Sequence, residues 1–367
     1  MQIAIVGLAG SGKTTVFNTL TRGHAETGGY GGVTLNVGVV KVPDPRLDTL
    51  AAIFHPKKVV HADVTYVDLP APPASSEGRI GTEELPAEHL ARLRDSDALL
   101  HVVRAFDDPA NPHQAGTVDP VRDIEQLDVE FALADLAMAE RRLERLATSG
   151  RHGTAAEREA AEREEAVVRR IHDGLQAGTP IRDLGLDPDE AKAVRGFRFL
   201  TEKPVLLLLN VGEGDLGTAG TLVERVAGGY THRQAMVDSL SAKIEMELGE
   251  LEPDEAAVFM EELGITGSSL DRVIALSYRL LGLVSFLTAG PDEVRAWPVP
   301  DGSTAVDAAG TIHTDLAKGF IRAETVSYDD LATLGSMAEV KKAGRLRSEG
   351  KTYHVRDGDV IEILFSR

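Results

Sequence analysis

Apolar residues at the N-terminal end come in short runs, each closed by glycine or proline. The run from Ile3 to Val6 is β-branched and strand-sized, and Gly7 to Gly12 follows as a loop. Val16, Phe17 and Leu20 then fall at helical spacing, so residues 14–20 read as a helix. The glycines at 28, 29, 31 and 32 around Tyr30 predict a flexible loop. Residues 34–42, 64–67 and 98–103 read as strands, the second running into Leu69-Pro70-Ala71-Pro72-Pro73. Strands alternating with helices predict a mainly parallel α/β sheet.

The pattern changes near Asp119. Ile124, Leu127, Phe131, Ala134 and Met138 make one apolar stripe at helical spacing in a segment rich in Glu, Arg and Ala. Residues 148–153 break it, and a second charged helix runs to about Ile171. This is a helical hairpin, either coiled-coil-like or a solvated surface pair. After Lys203-Pro204 the apolar run 205–209 returns to strand-like sequence. From Leu281 onward, short strands around 297–299, 311–314 and 353–355, with few helices, suggest a small α+β module. The expected division is 1–118, an inserted helical segment 119–199, a return to the first domain over 200–280, and a C-terminal domain over 281–367.

Composition narrows the function classes. The 367 residues carry a formal net charge of −19, with 43% hydrophobic and 26% charged residues, as ordinary globular proteins do. No apolar run approaches a membrane span, so no membrane partner is expected. The first residues lack a basic, then apolar, leader pattern, and a cytoplasmic protein is expected. With no cysteine, thiolate catalysis and cysteine-based metal sites are excluded. The acidic balance argues against DNA as a partner. A local cluster of Lys341, Lys342, Arg345, Arg347 and Lys351 could still meet RNA phosphates.

The chemistry sits in Gly7-Leu8-Ala9-Gly10-Ser11-Gly12-Lys13-Thr14, which fits G-x-x-x-x-G-K-[ST] between a strand and a helix. Glycines let backbone N–H groups surround a polyphosphate, with Lys13 on the outer phosphates and the Thr14 hydroxyl on Mg²⁺. The helix N-terminus favours the anion. Gly7, Ala9, Gly10, Ser11, Gly12, Lys13, Thr14 and Thr15 are the expected phosphate-binding residues. Asp68, closing a neighbouring strand, is the expected carboxylate on the metal side. For the base, Asn210-Val211-Gly212-Glu213 follows the later strand where GTPases carry N-K-x-D. Val211 and Glu213 replace the lysine and aspartate that hold guanine, while the Asn210 amide can both donate to and accept from adenine. Ser241-Ala242-Lys243 resembles the S-A-K loop that flanks the base. His101, inside an apolar run, reads as structural.

In this order, the P-loop, Asp68, N-x-x-E and S-A-K resemble the YchF/Obg-like ATPase family of Obg-type P-loop NTPases. Residues 36–47 look like its segment after switch I, 123–136 like its helical insertion, and 288–297 and 313–324 like its C-terminal signatures. The resemblance implies a P-loop G domain, an inserted helical hairpin and a C-terminal TGS domain of β-grasp type. It also implies Mg²⁺ and ATP as ligands, ATP preferred over GTP, slow hydrolysis, and association with ribosomal RNA and proteins. Thr34 is the candidate switch I threonine on the metal. Three departures stand out. Asp68-Leu69-Pro70-Ala71-Pro72 lacks the switch II glycine, and its prolines remove N–H donors. Gly10 replaces an asparagine able to help hold a monovalent cation. No glutamine near Asp68 orients water, so no catalytic residue is assigned. A nucleotide-gated binding module with little hydrolysis is therefore the alternative to a slow ATPase.

Overall fold

The computed structural model describes the chain except residues 23–25, 31–32, 70–86, 150–153, 266 and 367, and leaves out the side chains of 26–30, 33–35, 87, 149 and 253. Its strands in chain order are β1 (Gln2–Val6), β2 (Glu26–Tyr30), β3 (Val33–Lys41), β4 (Lys58–Val60), β5 (Asp63–Asp68), β6 (Ala98–Ala105), β7 (Val205–Val211), β8 (Ala235–Leu240), β9 (Leu283–Ala289), β10 (Glu293–Pro300), β11 (Phe320–Ser327), β12 (Arg347–Glu349) and β13 (Asp359–Phe365). They fall into two units, one of Met1–Gly38 with Thr65–Val273, the other of Val39–Val64 with Ile274–Arg367.

The first unit is built on a sheet of order β2-β3-β5-β1-β6-β7-β8. β5, β1, β6, β7 and β8 pair in parallel, and β2 with β3 forms an antiparallel edge. Every residue of β7 is buried, as an interior strand of a parallel sheet requires. The loop expected around the glycines is in part the strand β2: Gly28 stands opposite Leu35 and Gly29 opposite Thr34. The ladder is made by backbone groups, which glycine supplies as well as any residue. Gly31 and Gly32 lie outside the described residues.

The helical insertion comprises Pro120–Ser149 and Ala155–Gln176. Its predicted apolar stripe serves two cores. Ile124, Leu127 and Phe131 pack on the sheet with Val6, Leu99, Val103 and Leu207. Further along, Ala139 meets Val167, Val168, Ile171 and Leu175, and Ile181, Val194 and Phe199 complete that second core. The base of the hairpin is thus packed into two cores, while further out its two helices face each other, with Arg142 paired to Glu164 at 2.7 Å. Asp135 fixes the junction. Fully buried, it accepts from the backbone N–H and hydroxyl of Thr201 at 2.8 and 2.9 Å and pairs with Arg94 at 3.1 Å.

The second unit has a sheet of order β12-β11-β13-β9-β10-β4. β9 and β10 form an antiparallel hairpin, and β13 lies parallel to β9 and antiparallel to β11. The helix Ala305–Ile312 places Ala305, Ala308 and Ala309 against Phe286, Val299, Phe320 and Ile361. A helix across a sheet with two parallel central strands is the β-grasp arrangement. Residues 311–314, expected as a strand, instead end this helix and begin the helix Thr314–Lys318, because Thr304 supplies a capping box and His313 caps the second helix. Residues 353–355 form no strand beyond a single bridge of His354 to Thr304. Trp297 packs beside the core, its Nε1 donating to Thr288.

Residues 39–64 had been expected within the first domain, yet they group with the C-terminal residues. The pattern hid the reason. β4 adds to the edge of β10, Arg46 bridges Asp44 and Asp357 at 2.8 Å each, and the Tyr328 hydroxyl donates to Thr49.

Candidate nucleotide-binding site

β1 delivers its C-terminal end into the Gly7–Gly12 loop, and the helix Lys13–Leu20 starts directly after it. Gly12 caps that helix in the left-handed region, with φ 89°, and a Cβ there would collide with the Asn210 amide. Only glycine fits both demands. The loop thus ends at a helix N-terminus, whose partial positive charge suits a phosphate.

Because β1 lies between β5 and β6, each neighbour brings one strand-end side chain to the loop. On the β5 side this is Asp68, fully buried, which accepts from the Thr14 hydroxyl at 3.3 Å and from Asn36 Nδ2 at 3.4 Å, both on Oδ2. Its Oδ1 is buried without a partner among the described residues. Burial raises the Asp68 carboxyl above the usual range, against the smaller opposite effects of Asn36, Lys13 and Thr14. Burial likewise lowers the Lys13 ammonium, against the pull of Asp68. An orphaned carboxylate oxygen beside a threonine hydroxyl and a half-desolvated lysine is a donor set short of a hard cation and an anion. The residues therefore fit Mg²⁺ with a polyphosphate. Among the described residues no group of three His, Asp or Glu side chains could hold a metal ion, and Asp68 and Thr14 would hold Mg²⁺ together with water and phosphate oxygens.

Sequence reasoning passed over the β6 side. Arg104, the last-but-one residue of β6, is only 3% exposed. Its Nε and Nη2 donate to the carbonyls of Phe106 and Asn111 at 3.2 and 2.8 Å, and its guanidinium lies 4.8 Å from the Phe106 ring centre. The signal was an arginine closing an apolar strand next to the P-loop strand.

Asn210, at the end of β7, is buried and spans the site. Its Nδ2 donates to the Ser11 carbonyl and its Oδ1 accepts from the Ala242 N–H, each at 3.0 Å. It thereby ties the phosphate loop to Ser241-Ala242-Lys243, which was expected as a loop but caps and opens the helix Ala242–Glu250, a structural duty absent from the sequence reading. One N–H and one lone pair are left for a base. Val211 is buried, which closes its side chain off, whereas Glu213 is exposed with its carboxylate 3.7 Å from Lys243 Nζ. Ser241 and Ala242 are buried, and the hydroxyls of Ser11 and Ser241 have no partner among the described residues. Ala9 and Gly10 are exposed on the loop, Thr14 is exposed in the first turn of the helix, and Thr15 beside it is half-buried. Thr34 stands on β3, but its side chain lies outside the described ones, as do Pro70, Ala71 and Pro72 of the altered switch II. His101 is buried in β6 opposite Val6, and burial, with Lys13 nearby, pushes its imidazole down to about 3. It is neutral and structural.

The family described as 50S ribosome-binding GTPase matches residues 2–142, and the C-terminal YchF-GTPase domain family, described as of unknown function, matches 283–366. A Haemophilus ducreyi protein named ribosome-binding ATPase YchF is 42% identical over 368 residues, 100% of this chain and 99% of its own. The Bacillus subtilis protein of the same name is 40% identical over 370 residues with the same coverage. The solved Schizosaccharomyces pombe YchF GTPase superposes with a TM-score of 0.84 at 29% identity, over 99% of this chain and 97% of that one. Whole-length identity, together with a phosphate loop, a strand-end aspartate and a β-grasp unit in the same order, places this chain in the YchF family.

Proposed function

We propose that the chain binds ATP with Mg²⁺ at the Gly7–Thr15 loop, hydrolyses it slowly, and acts through that cycle on the ribosome in the cytoplasm. The observation that carries the reading is the convergence of Lys13, Thr14 and Asp68 on one loop, with Asp68 Oδ1 left unpartnered. Thr14 and Asp68 would hold the metal, with Thr34 a candidate third residue. Bound Mg²⁺ supplies positive charge to the β- and γ-phosphates. Lys13 and the backbone N–H groups from Gly7 to Thr15 hold and orient the polyphosphate. The relatives are named ribosome-binding ATPases, and those names favour a hydrolysing enzyme over a purely binding module. The ribosomal RNA and protein contacts, and the TGS identity of the β-grasp unit, belong to the same proposal.

Adenine is the preferred base because the guanine clamp is absent. The Glu213 carboxylate pairs toward Lys243. Asn210 keeps one N–H and one lone pair, and the Ser241 hydroxyl has no partner among the described residues.

Titration with ATP and GTP, with and without Mg²⁺, tests the reading. ATP should bind more tightly, and Lys13→Ala should abolish binding of either nucleotide, since each hydrogen bond to a charged group is worth about 1.5–3 kcal/mol. Basal turnover should stay below about 1 s⁻¹ and rise with added ribosomes. Tighter GTP binding, or a Lys13→Ala protein that binds as the parent does, refutes it.

A further inference from the structure

Arg104 is a buried cation without an anion. Among the described residues it forms no ion pair, and Nη1 carries no hydrogen bond, while Nε and Nη2 are used on Phe106 and Asn111. Burying a charge is costly unless something pairs with it. The free nitrogen points at the phosphate loop, 3.2 Å from where a Cβ on Gly10 would stand. Gly10 has φ 75° and is exposed, and the Asn111 amide Nδ2 lies 3.5 Å from the same Cβ position. Sheet order puts Arg104 across β1 from Asp68.

We propose that Arg104 is a second phosphate-binding cation of this site, its Nη1 donating to an outer phosphate oxygen of ATP from the side opposite Asp68 and the metal. The proposal rests on the nucleotide reading above. Backbone N–H groups at the helix N-terminus cradle the inner phosphates and Lys13 reaches the outer ones, where Arg104 Nη1, beside Gly10, would be a second cation. A guanidinium there is already held by two carbonyls and the Phe106 ring, so it needs no reorganisation when negative charge shifts between the β- and γ-phosphates. It contributes from within the chain a charge of the kind that other nucleotidases receive from an inserted arginine.

Arg104→Gln keeps a polar side chain and removes the charge. ATP affinity should fall about tenfold, the size of one charge-assisted hydrogen bond, and turnover should fall at least as far. ADP affinity should change by less than about threefold, and Arg104→Lys should recover part of the loss. A purely structural arginine would move ATP and ADP together, so equal losses overturn the proposal, as do parent-like ATP affinity and turnover. Because Arg104 is buried, Arg104→Gln can also lower stability, so the full-length parent, labelled with ¹⁵N-arginine, gives an independent measurement. The guanidinium signal missing from Arg104→Lys should shift with non-hydrolysable ATP and not with adenosine, and an unmoved signal overturns the proposal. If the parent itself fails to bind ATP, it is the nucleotide reading that falls.

Discussion

Asp68 and His101 show how burial sets charge around one phosphate loop. Burial raises the Asp68 carboxyl, so its charged form is disfavoured in the folded chain and weighs against stability at neutral pH. Asp68→Asn should therefore melt no lower than the parent without nucleotide, yet lose the Mg²⁺-dependent part of ATP affinity. Thermal melts and paired titrations check both halves, and an unchanged Mg²⁺ response would remove Asp68 from the metal site. His101 works in the opposite sense. Its folded pKa of about 3 lies below the ordinary 6.5, so the unfolded chain binds the extra proton. Its contribution is complete above pH 6.5 and is lost as pH falls toward 3. At pH 5 the loss is about 2 kcal/mol. His101→Leu should remove this acid sensitivity, read as the parent-minus-variant unfolding free energy at neutral pH and at pH 5. A difference that ignores pH refutes it. The phosphate loop and Asp68 were legible because their chemistry demands residue types at fixed spacing. Arg104 and the bridging role of Asn210 were not, because they depend on which strand ends become neighbours in the sheet, and a linear pattern does not carry that information.

At the scale of elements, the helix Pro120–Ser149 changes partner along its length. Phe131 packs into the core of the sheet, whereas Leu133, two residues on, is 59% exposed. Phe131→Ala should cost about 3–5 kcal/mol, and Leu133→Ala should fall within about 0.5 kcal/mol of the parent. Asp135 is the stronger test. Removing it leaves Arg94 without its carboxylate and the Thr201 N–H without its acceptor, so Asp135→Ala should cost about 3–5 kcal/mol in denaturant unfolding. A loss under about 1 kcal/mol would mean that water replaces the carboxylate. Helical periodicity gave this helix correctly but described its stripe as one surface, since spacing reveals which residues share a face and not how many cores that face meets. The strand expected at 205–209, which runs on to Val211, and the hairpin's two helices were equally plain. β4, with three residues, and the helix Pro45–Phe54 were passed over, because neither has the length or pattern to stand out without the β-grasp sheet it joins.

On the scale of the whole molecule, the proposed contact of a chain of net charge −19 with ribosomal RNA depends on local positive charge. The five C-terminal basic residues are not equally available. Arg347 pairs with the buried Asp359 at 3.2 Å and with Glu349 at 3.6 Å. Lys342 lies 3.4 Å from Glu339 and Arg345 lies 3.8 Å from Asp330. Lys341 and Lys351 are exposed and form no ion pair among the described residues. Exposed pairs are worth at most about 1 kcal/mol, so Lys342 and Arg345 can be drawn away, whereas Arg347 is committed to its own fold. The expected order of effect on ribosome affinity is Lys341 and Lys351 first, Lys342 and Arg345 next, and Arg347 last apart from any loss of stability. Each neutralised phosphate contributes about −0.7 to −0.9 to the slope of log affinity against log salt. Replacing both Lys341 and Lys351 by alanine should therefore flatten that slope by about 1.5 in salt-dependent co-sedimentation. Substitutions are a cleaner probe than truncation at Leu281, which would strip β9 and β10 away and leave β4 and the helix Pro45–Phe54 without the sheet they join. An unchanged slope in the double variant would mean that the ribosome is met by another face of the protein.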